Sequence, residues 1–448
     1  MDKIGIAEKA VYTLAMLCYG CFRVNQYVTY INNWKNTNEK ARQAMQDRQF
    51  LSVVRHAYHH VPFYRNLYRH AGVDITAISG IRDIVKLPIV HKEQLRNASA
   101  KEKRPPVWRK PFSVRVSTSG SSGEPFSFYR SEETLFINGA QLLTYLDHWG
   151  LRGKRKIYFL LHFADPTFCI NLPQRSSYSV FNQSNAINPD LPTEKILRII
   201  EWDKPDCLIA HPSKLEDLVD YLIEMNHLID HAIVFATGGE VLTQRLKNKL
   251  NRVFPQHSIY DFYNTMEMGM IAYESPDHGG MHINDYAVVV EKGEKVFDFK
   301  GEYYFKPIMT NLWNFSTPLI RYDGVDDLLQ FSEDKSSFAY GKEAITSLHG
   351  RRSERISGSR NNWISACVLM SAFADLTDVS RFQFVQSTPG QVCFRYIPGR
   401  TCNPDHVKEA VMDVFKRFFQ DSMHVSLEKV DQVEKIGISR KYPILVGK

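Results

Sequence analysis

Four short runs between residues 156 and 263 decide the fold: Lys156–Phe163 (KIYFLLHF), Asp206–His211 (DCLIAH), His231–Thr237 (HAIVFAT) and Ser258–Tyr263 (SIYDFY). Each is rich in β-branched or aromatic residues, and stretches with helical spacing separate them. Strands that alternate with helices imply an α/β fold built on a largely parallel sheet. Upstream, residues 41–75 carry apolar side chains at three- and four-residue spacing, broken at Pro62 and ended near Gly72, which predicts helices. Downstream of Gly280 the pattern turns strand-rich, in Met281–Glu291, Gly301–Pro307 and Asp326–Phe331. After His349-Gly350-Arg351 a second, smaller α/β unit follows. The expected division is a large domain over 1–350, with 1–40 as a peripheral apolar helix, and a small domain over 351–448. No internal repeat is visible, so solenoids are excluded.

Composition sets broad limits. The chain has 448 residues, 44% hydrophobic and 23% charged, as in an ordinary globular protein with several structural units. Its net charge of +7 is too dilute to argue for nucleic acid, and no basic stripe with interleaved aromatics stands out. The 7 cysteines are odd in number and scattered, which suits reduced thiols in the cytoplasm better than a disulfide framework. His56, His59, His60 and His70 lie close in sequence, yet no acid or cysteine joins them before Asp74, so a basic helix face is preferred to a metal site. The apolar run Ala10–Phe22 is shorter than the ~20 residues a spanning helix needs. A helix packed on the protein's own surface is the first reading of residues 10–34, and peripheral membrane contact the second.

The stretch Ser117-Thr118-Ser119-Gly120-Ser121-Ser122-Gly123-Glu124-Pro125 follows the strand-like Ser113–Val116. Glycines let a backbone wrap an oxyanion while free N–H groups and hydroxyls donate to its oxygens. The stretch lacks the Gly-Lys-Ser/Thr ending of a Walker loop and the spacing of a dinucleotide fold. By itself it reads first as a flexible Ser/Gly linker, a reading that its place directly after a strand weakens.

In combination with later residues this loop resembles the phosphate-binding signature of the adenylate-forming superfamily. Further motifs follow in that family's order. Gly238-Gly239-Glu240 stands where the family sets backbone against adenine. Asp261-Phe262-Tyr263-Asn264-Thr265-Met266-Glu267 resembles D-x-Y-G-x-T-E, and Pro318–Asp326 resembles P-x-I-R-Y-x-T-G-D. Gly350–Glu354 resembles G-R-x-D-D, and Ser439-Arg440-Lys441 stands where S-G-K is expected. Within the superfamily the chain is most similar to the phenylacetate–CoA ligase-like group, especially its CapK-like members from capsular-polysaccharide loci. The resemblance implies a large adenylation domain with mixed or parallel sheets and a small mobile C-terminal domain.

It also implies roles. Thr118, Ser119, Gly120, Ser121, Ser122 and Gly123 would cradle the phosphates of ATP. Gly238, Gly239, Glu240, Asp261, Phe262, Tyr263, Asn264 and Thr265 would border the nucleotide. Glu267 would hold Mg²⁺, Asp326 the ribose hydroxyls, and Arg351 the ribose or phosphate. Lys441 would be the catalytic cation, with Arg440 or Lys435 as substitutes, and Ser353 would mark the hinge. The implied reaction makes an acyl-adenylate from a carboxylic acid, then transfers the acyl group to CoA, a carrier-protein thiol or an amine. Phe163, Phe168, Tyr178 and Phe181 are candidates for an apolar acid pocket. Asn264, Met266, Val325, Ser353 and Arg440 depart from the family pattern, which keeps open a degraded nucleotide-binding scaffold.

Overall fold

The computed structural model describes residues 6–106, 113–117, 126–153, 156–161, 184–277, 279–297, 301–332, 344–360, 362–434 and 442–447. Three helices open the chain: α1 (Ile6–Lys35), α2 (Glu39–His60) and α3 (Pro62–His70). The Asn38 side chain starts α2 by accepting a hydrogen bond from the Ala41 N–H at 2.9 Å. Pro62 stands in the first turn of α3, where its missing N–H costs nothing, so the expected break is a junction between two helices. The apolar run near the N-terminus belongs to a helix longer than the run itself. Its side chains Val24, Tyr27, Ile31 and Trp34 are buried in a cluster with Ile137, Ala140 and Tyr286. Tyr27 meets Trp313 edge-on at 5.1 Å. These four side chains are therefore spent on the protein's own surface. No helix among the described residues is long and apolar enough to cross a membrane.

After α4 (Lys92–Asn97), strands β1 (Val114–Ser117) and β2 (Ser127–Arg130) pair antiparallel, with Ser117 opposite Ser127. The serine–glycine stretch is thus the connection of a two-stranded hairpin, and lies outside the described residues. Helix α5 (Glu132–His148) follows. The alternating segment forms β3 (Ile157–Leu160), β4 (Ser184–Ala186), α6 (Thr193–Asp203), β5 (Cys207–Ala210), α7 (Pro212–Glu224), β6 (Ile233–Gly238), α8 (Gln244–Val253) and β7 (His257–Thr265). Then come β8 (Gly269–Glu274), β9 (Met281–Ile283), β10 (Val288–Phe297), β11 (Tyr303–Asn311), β12 (Asp327–Phe331) and β13 (Ala344–Arg351).

These strands, from β3 to β13, make one sheet ordered β10-β11-β12-β13-β9-β8-β7-β6-β5-β3-β4. From β4 to β7 the pairing is parallel, and from β7 to β10 it is antiparallel. The α/β expectation holds, with a mixed sheet. Apolar faces of α6, α7 and α8 cover one side of the parallel half through Ile200, Leu215, Leu218, Leu222, Leu246 and Leu250. On α5, Tyr145 and Trp149 pack with Tyr260 and Phe262. The expected single strand Met281–Glu291 is two strands, because the Asn284 carbonyl accepts the N–H groups of Ala287 and Val288 at 2.7 and 3.0 Å and turns the chain.

Beyond Arg351 the chain forms a separate sheet system. A hairpin of β14 (Arg355–Ser357) and β15 (Trp363–Ser365) leads into α9 (Ala366–Ser371). Strands β16 (Val379–Thr388) and β17 (Gln391–Pro398), helix α10 (Pro404–Phe419), β18 (His424–Lys429) and β19 (Leu445–Val446) complete it, in the order β18-β17-β16-β19. Phe373, Phe382, Phe384, Phe394 and Phe415 fill its core.

Tyr64 ties the helical layer to the segment before β12. Its fully buried hydroxyl donates to the Pro318 carbonyl at 2.8 Å and accepts from the Ile320 N–H at 3.1 Å. Tyr64→Phe strands both backbone groups in the interior. It is expected to cost about 1–3 kcal/mol, read as a lower denaturant midpoint at unchanged slope.

Candidate functional site

In open parallel sheets, ligands bind beyond the carboxyl ends of the strands. Here β6 ends in Gly238, and a Cβ at that position would lie 2.6 Å from the Phe262 ring, so only glycine lets the two strand ends approach. Gly239 has φ +77°, in the region that favours glycine. The Glu240 carboxylate is committed elsewhere: it accepts from the Ser213 N–H at 2.9 Å and hydroxyl at 3.0 Å, at the start of α7. A carboxylate is favourable there because helix N-terminal N–H groups lack partners. What Gly238–Glu240 leaves at the strand end is therefore backbone.

On β7, Asp261 is buried and accepts from the Thr237 hydroxyl at 2.8 Å, while its N–H donates to Glu274 at 3.0 Å. Burial pushes its carboxyl up to about 8, with the nearby Glu274 charge adding to the rise and the Thr237 bond opposing it. Asp261 is thus mostly protonated at neutral pH, and its role here is to lock β6 to β7. The Tyr263 hydroxyl donates to Asp327 at 2.7 Å, and burial holds that phenol well above its usual value. The Asn264 Oδ1 is shielded from solvent and has no hydrogen-bond partner among the described residues.

Between β7 and β8 lies a buried turn that carries Glu267. Arg130 Nε donates to the Met266 carbonyl at 3.0 Å, and Asn311 to the Met268 carbonyl at 3.1 Å. The Thr265 hydroxyl accepts from the Met268 N–H at 3.1 Å, and Gln141 on α5 donates to the Met270 carbonyl at 3.1 Å. Gly269 (φ +74°) packs so closely on Asn138 that a Cβ would lie 2.5 Å from its Oδ1. Glu267 itself is buried, without an ion pair among the described residues. Desolvation raises its carboxyl, and the more distant positive charge of Lys92 pulls it back. A buried anion of this kind gains from a hard cation, and Glu267 is a fitting oxygen ligand for Mg²⁺. No group of three or more metal-ligand side chains occurs among the described residues. His56 of the histidine-rich helix faces the Phe315 carbonyl at 2.9 Å.

The remaining predicted residues meet at the junction of the two sheet systems. Asp326 Oδ2 accepts from the Ser353 N–H at 3.1 Å, and its carbonyl accepts from the Arg352 N–H at 2.7 Å. Gly350, at φ +69°, turns the chain where a Cβ would meet the Cys367 sulfur at 2.5 Å. Arg351 stands opposite Asp327 in the β12–β13 register, and its guanidinium lies 4.0 Å from Glu354. Tyr263, Asp327, Arg351, Asp326 and Ser353 thus form one connected series. Sequence reasoning missed Asp327, Arg130 and Asn311. The first entered only as part of the strand-like run Asp326–Phe331, and nothing local marks the others. Thr118–Gly123, Lys435, Arg440 and Lys441 lie outside the described residues, as do Phe163, Phe168, Tyr178 and Phe181.

No family model matches the chain. A phenylacetate–coenzyme A ligase from Thermus thermophilus is 39% identical over 59 residues, which is 13% of either protein. Similarity of structure extends much further. The crystal structure of 2-hydroxyisobutyryl-CoA ligase in the postadenylation state, with an acyl-AMP bound, covers 93% of this chain and 92% of its own at a TM-score of 0.73 and 15% identity. The same ligase in the thioesterification state gives 0.59 at 16% identity and equal coverage. An anthranilate CoA ligase with anthranoyl-AMP matches 77% of this chain and 66% of its own at 0.53 and 12% identity. The chain shares the fold of these acyl-CoA ligases.

A pH prediction follows from Asp261. Its carboxyl ionises near 4 in an unfolded chain and at about 8 when folded. The stability that it contributes is complete below pH ~4 and is lost as pH rises through 8. Asp261→Asn should therefore gain on the wild type between pH 4 and 8 and hold a constant margin above, as read by denaturant unfolding. A margin independent of pH would overturn the assignment.

Proposed function

We propose that the protein is an AMP-forming acid ligase. It activates a carboxylic acid with ATP as an acyl-adenylate, releases pyrophosphate, and passes the acyl group to CoA. The observation that carries this reading is the convergence, beyond the carboxyl ends of β6 and β7, of glycine backbone, Tyr263, buried Glu267 and the Asp326–Arg351 junction. The shared fold supports it, because the similar structures include ligases with acyl-AMP bound.

In the first step a carboxylate oxygen forms a bond to the α-phosphorus of ATP, and the bond to pyrophosphate breaks. Mg²⁺ held by Glu267 would neutralise phosphate charge when bound. Thr118–Gly123 cradle phosphate oxygens through N–H and hydroxyl donors, and the backbone of Gly238 and Gly239 lines the base. Asp326 and Arg351 hold the ribose, at the cost of the Asp326 bond to Ser353. Lys441, or Arg440 or Lys435 in its place, steadies the negative charge that shifts during transfer. In the second step a thiolate attacks the acyl carbon, AMP departs with the bonding electrons, and the thiol proton goes to solvent. A carrier-protein thiol or an amine is the alternative acceptor. Residues 1–350 act as the adenylation domain and 351–448 as the mobile one, with Ser353 at the hinge. On the resemblance of its sequence motifs to CapK-like proteins, we propose that the activity supplies acyl groups, in the cytoplasm, to cell-surface polysaccharide.

Acid-dependent exchange of labelled pyrophosphate into ATP tests the first step. Exchange is expected with at least one acid of a panel, and Glu267→Gln should lower it by about 100-fold or more. No exchange with any acid, alongside ATP binding by calorimetry, would favour a nucleotide-binding scaffold. The departures at 264, 266, 325, 353 and 440 favour that second reading.

A further inference from the structure

Away from the crevice, a group of charged side chains joins the two sheet systems. Glu216, Asp217 and Asp220 share one face of α7, and Arg245 and Lys249 stand one turn apart on α8. Lys249 Nζ lies 2.8 Å from Glu216 and 2.6 Å from Asp220, and it donates to the Ser380 carbonyl at 2.8 Å. Arg245 donates to the carbonyls of Leu376 and Val379, just before and at the start of β16. Arg381 on β16 reaches the opposite way: its Nη1 donates to Asp217 at 2.8 Å, and its Nη2 is 3.6 Å from Asp220 and 3.7 Å from Glu216. Lys214 adds a fourth cation, 3.7 Å from Asp217. Arg245, Lys249 and Arg381 are buried.

Burying so many charges is a poor way to gain stability, since desolvation cancels most of the attraction. What such a network does well is fix one relative placement, because any slide leaves a charge buried and unpaired. The fixed placement extends to the C-terminal segment. The Arg381 guanidinium lies 4.0 Å from the centre of the Tyr442 ring, and the Tyr442 hydroxyl donates to Asp217 at 3.3 Å. Gln383, also on β16, donates to the Glu434 and Pro443 carbonyls at 2.8 and 2.9 Å and accepts from the Glu434 N–H at 2.8 Å. Residues on both sides of 435–441 are thus tied to the strand that carries Arg381.

We propose that Arg381, Tyr442 and Asp217 are positioning residues that latch the small domain to α7 and so fix the domain placement used in the adenylation step. That this placement serves adenylation rests on the ligase reading above; the latch itself does not. The full chain is compared with Arg381→Ala, Arg381→Lys and Tyr442→Phe by small-angle scattering and by pyrophosphate exchange. Arg381→Ala should enlarge the radius of gyration and lower the exchange kcat by about 10- to 100-fold, with the KM for ATP unchanged. Arg381→Lys should restore the compact form. Tyr442→Phe should stay compact and lose kcat alone. Should Arg381→Ala fail to fold, Tyr442→Phe and Arg381→Lys still decide through the split between kcat and KM. Unchanged scattering together with unchanged kcat overturns the latch. If the wild type shows no exchange, the ligase reading fails, and scattering alone judges whether Arg381 holds the domains.

Discussion

A buried backbone turn must have its polar groups satisfied from within the protein, and the turn between β7 and β8 is where this constraint shapes the molecule. At that point the sheet changes from parallel to antiparallel pairing, so the strand ladder cannot supply all the partners. Side chains from three directions do so instead: Arg130 beside the hairpin, Gln141 on α5, and Asn311 at the end of β11. Those partners explain why α5 buries the polar side chains of Asn138 and Gln141, which would be costly in an ordinary core helix, while Thr144 is satisfied by the carbonyls of its own helix. The same clamp holds the buried Glu267 where water competes poorly for it.

The parallel half of the sheet was legible because its signal is local. The centre of DCLIAH, Cys207–Ala210, and residues 235–237 of HAIVFAT are buried, and a short apolar run bounded by helical stretches suits a covered parallel strand. The antiparallel half was less legible. Met281–Glu291 has the composition of one strand, and the Asn284 turn that divides it depends on a hydrogen-bond pattern that no periodicity reveals. The surface-packed helix read over residues 10–34 runs from Ile6 to Lys35, where Tyr27, Ile31 and Trp34 find a surface to cover.

The candidate site divides in the same way. Glycines at 238, 239 and 350 entered through the family motifs, and the geometry gives each a reason. Acidic residues were harder to read, since a carboxylate in sequence does not disclose its partner. Glu240 serves the first turn of a helix, Asp261 is held protonated by burial, and Asp326 is bonded to the Ser353 backbone. Arg130 and Asn311 lie far from any motif, and their importance comes only from what the fold brings beside them.

Among the described residues, the hairpin of β1 and β2 forms no strand pairing with the large sheet. Asn314 and Thr317 fasten it at Tyr129, while Phe126 and Phe128 stack beneath it against the core. A connection framed by the matched pair Ser117 and Ser127 can change in length without shifting any neighbouring register. The entropy of closing it grows only slowly with added residues. Its size is thus a property that selection can vary almost independently of the rest of the architecture.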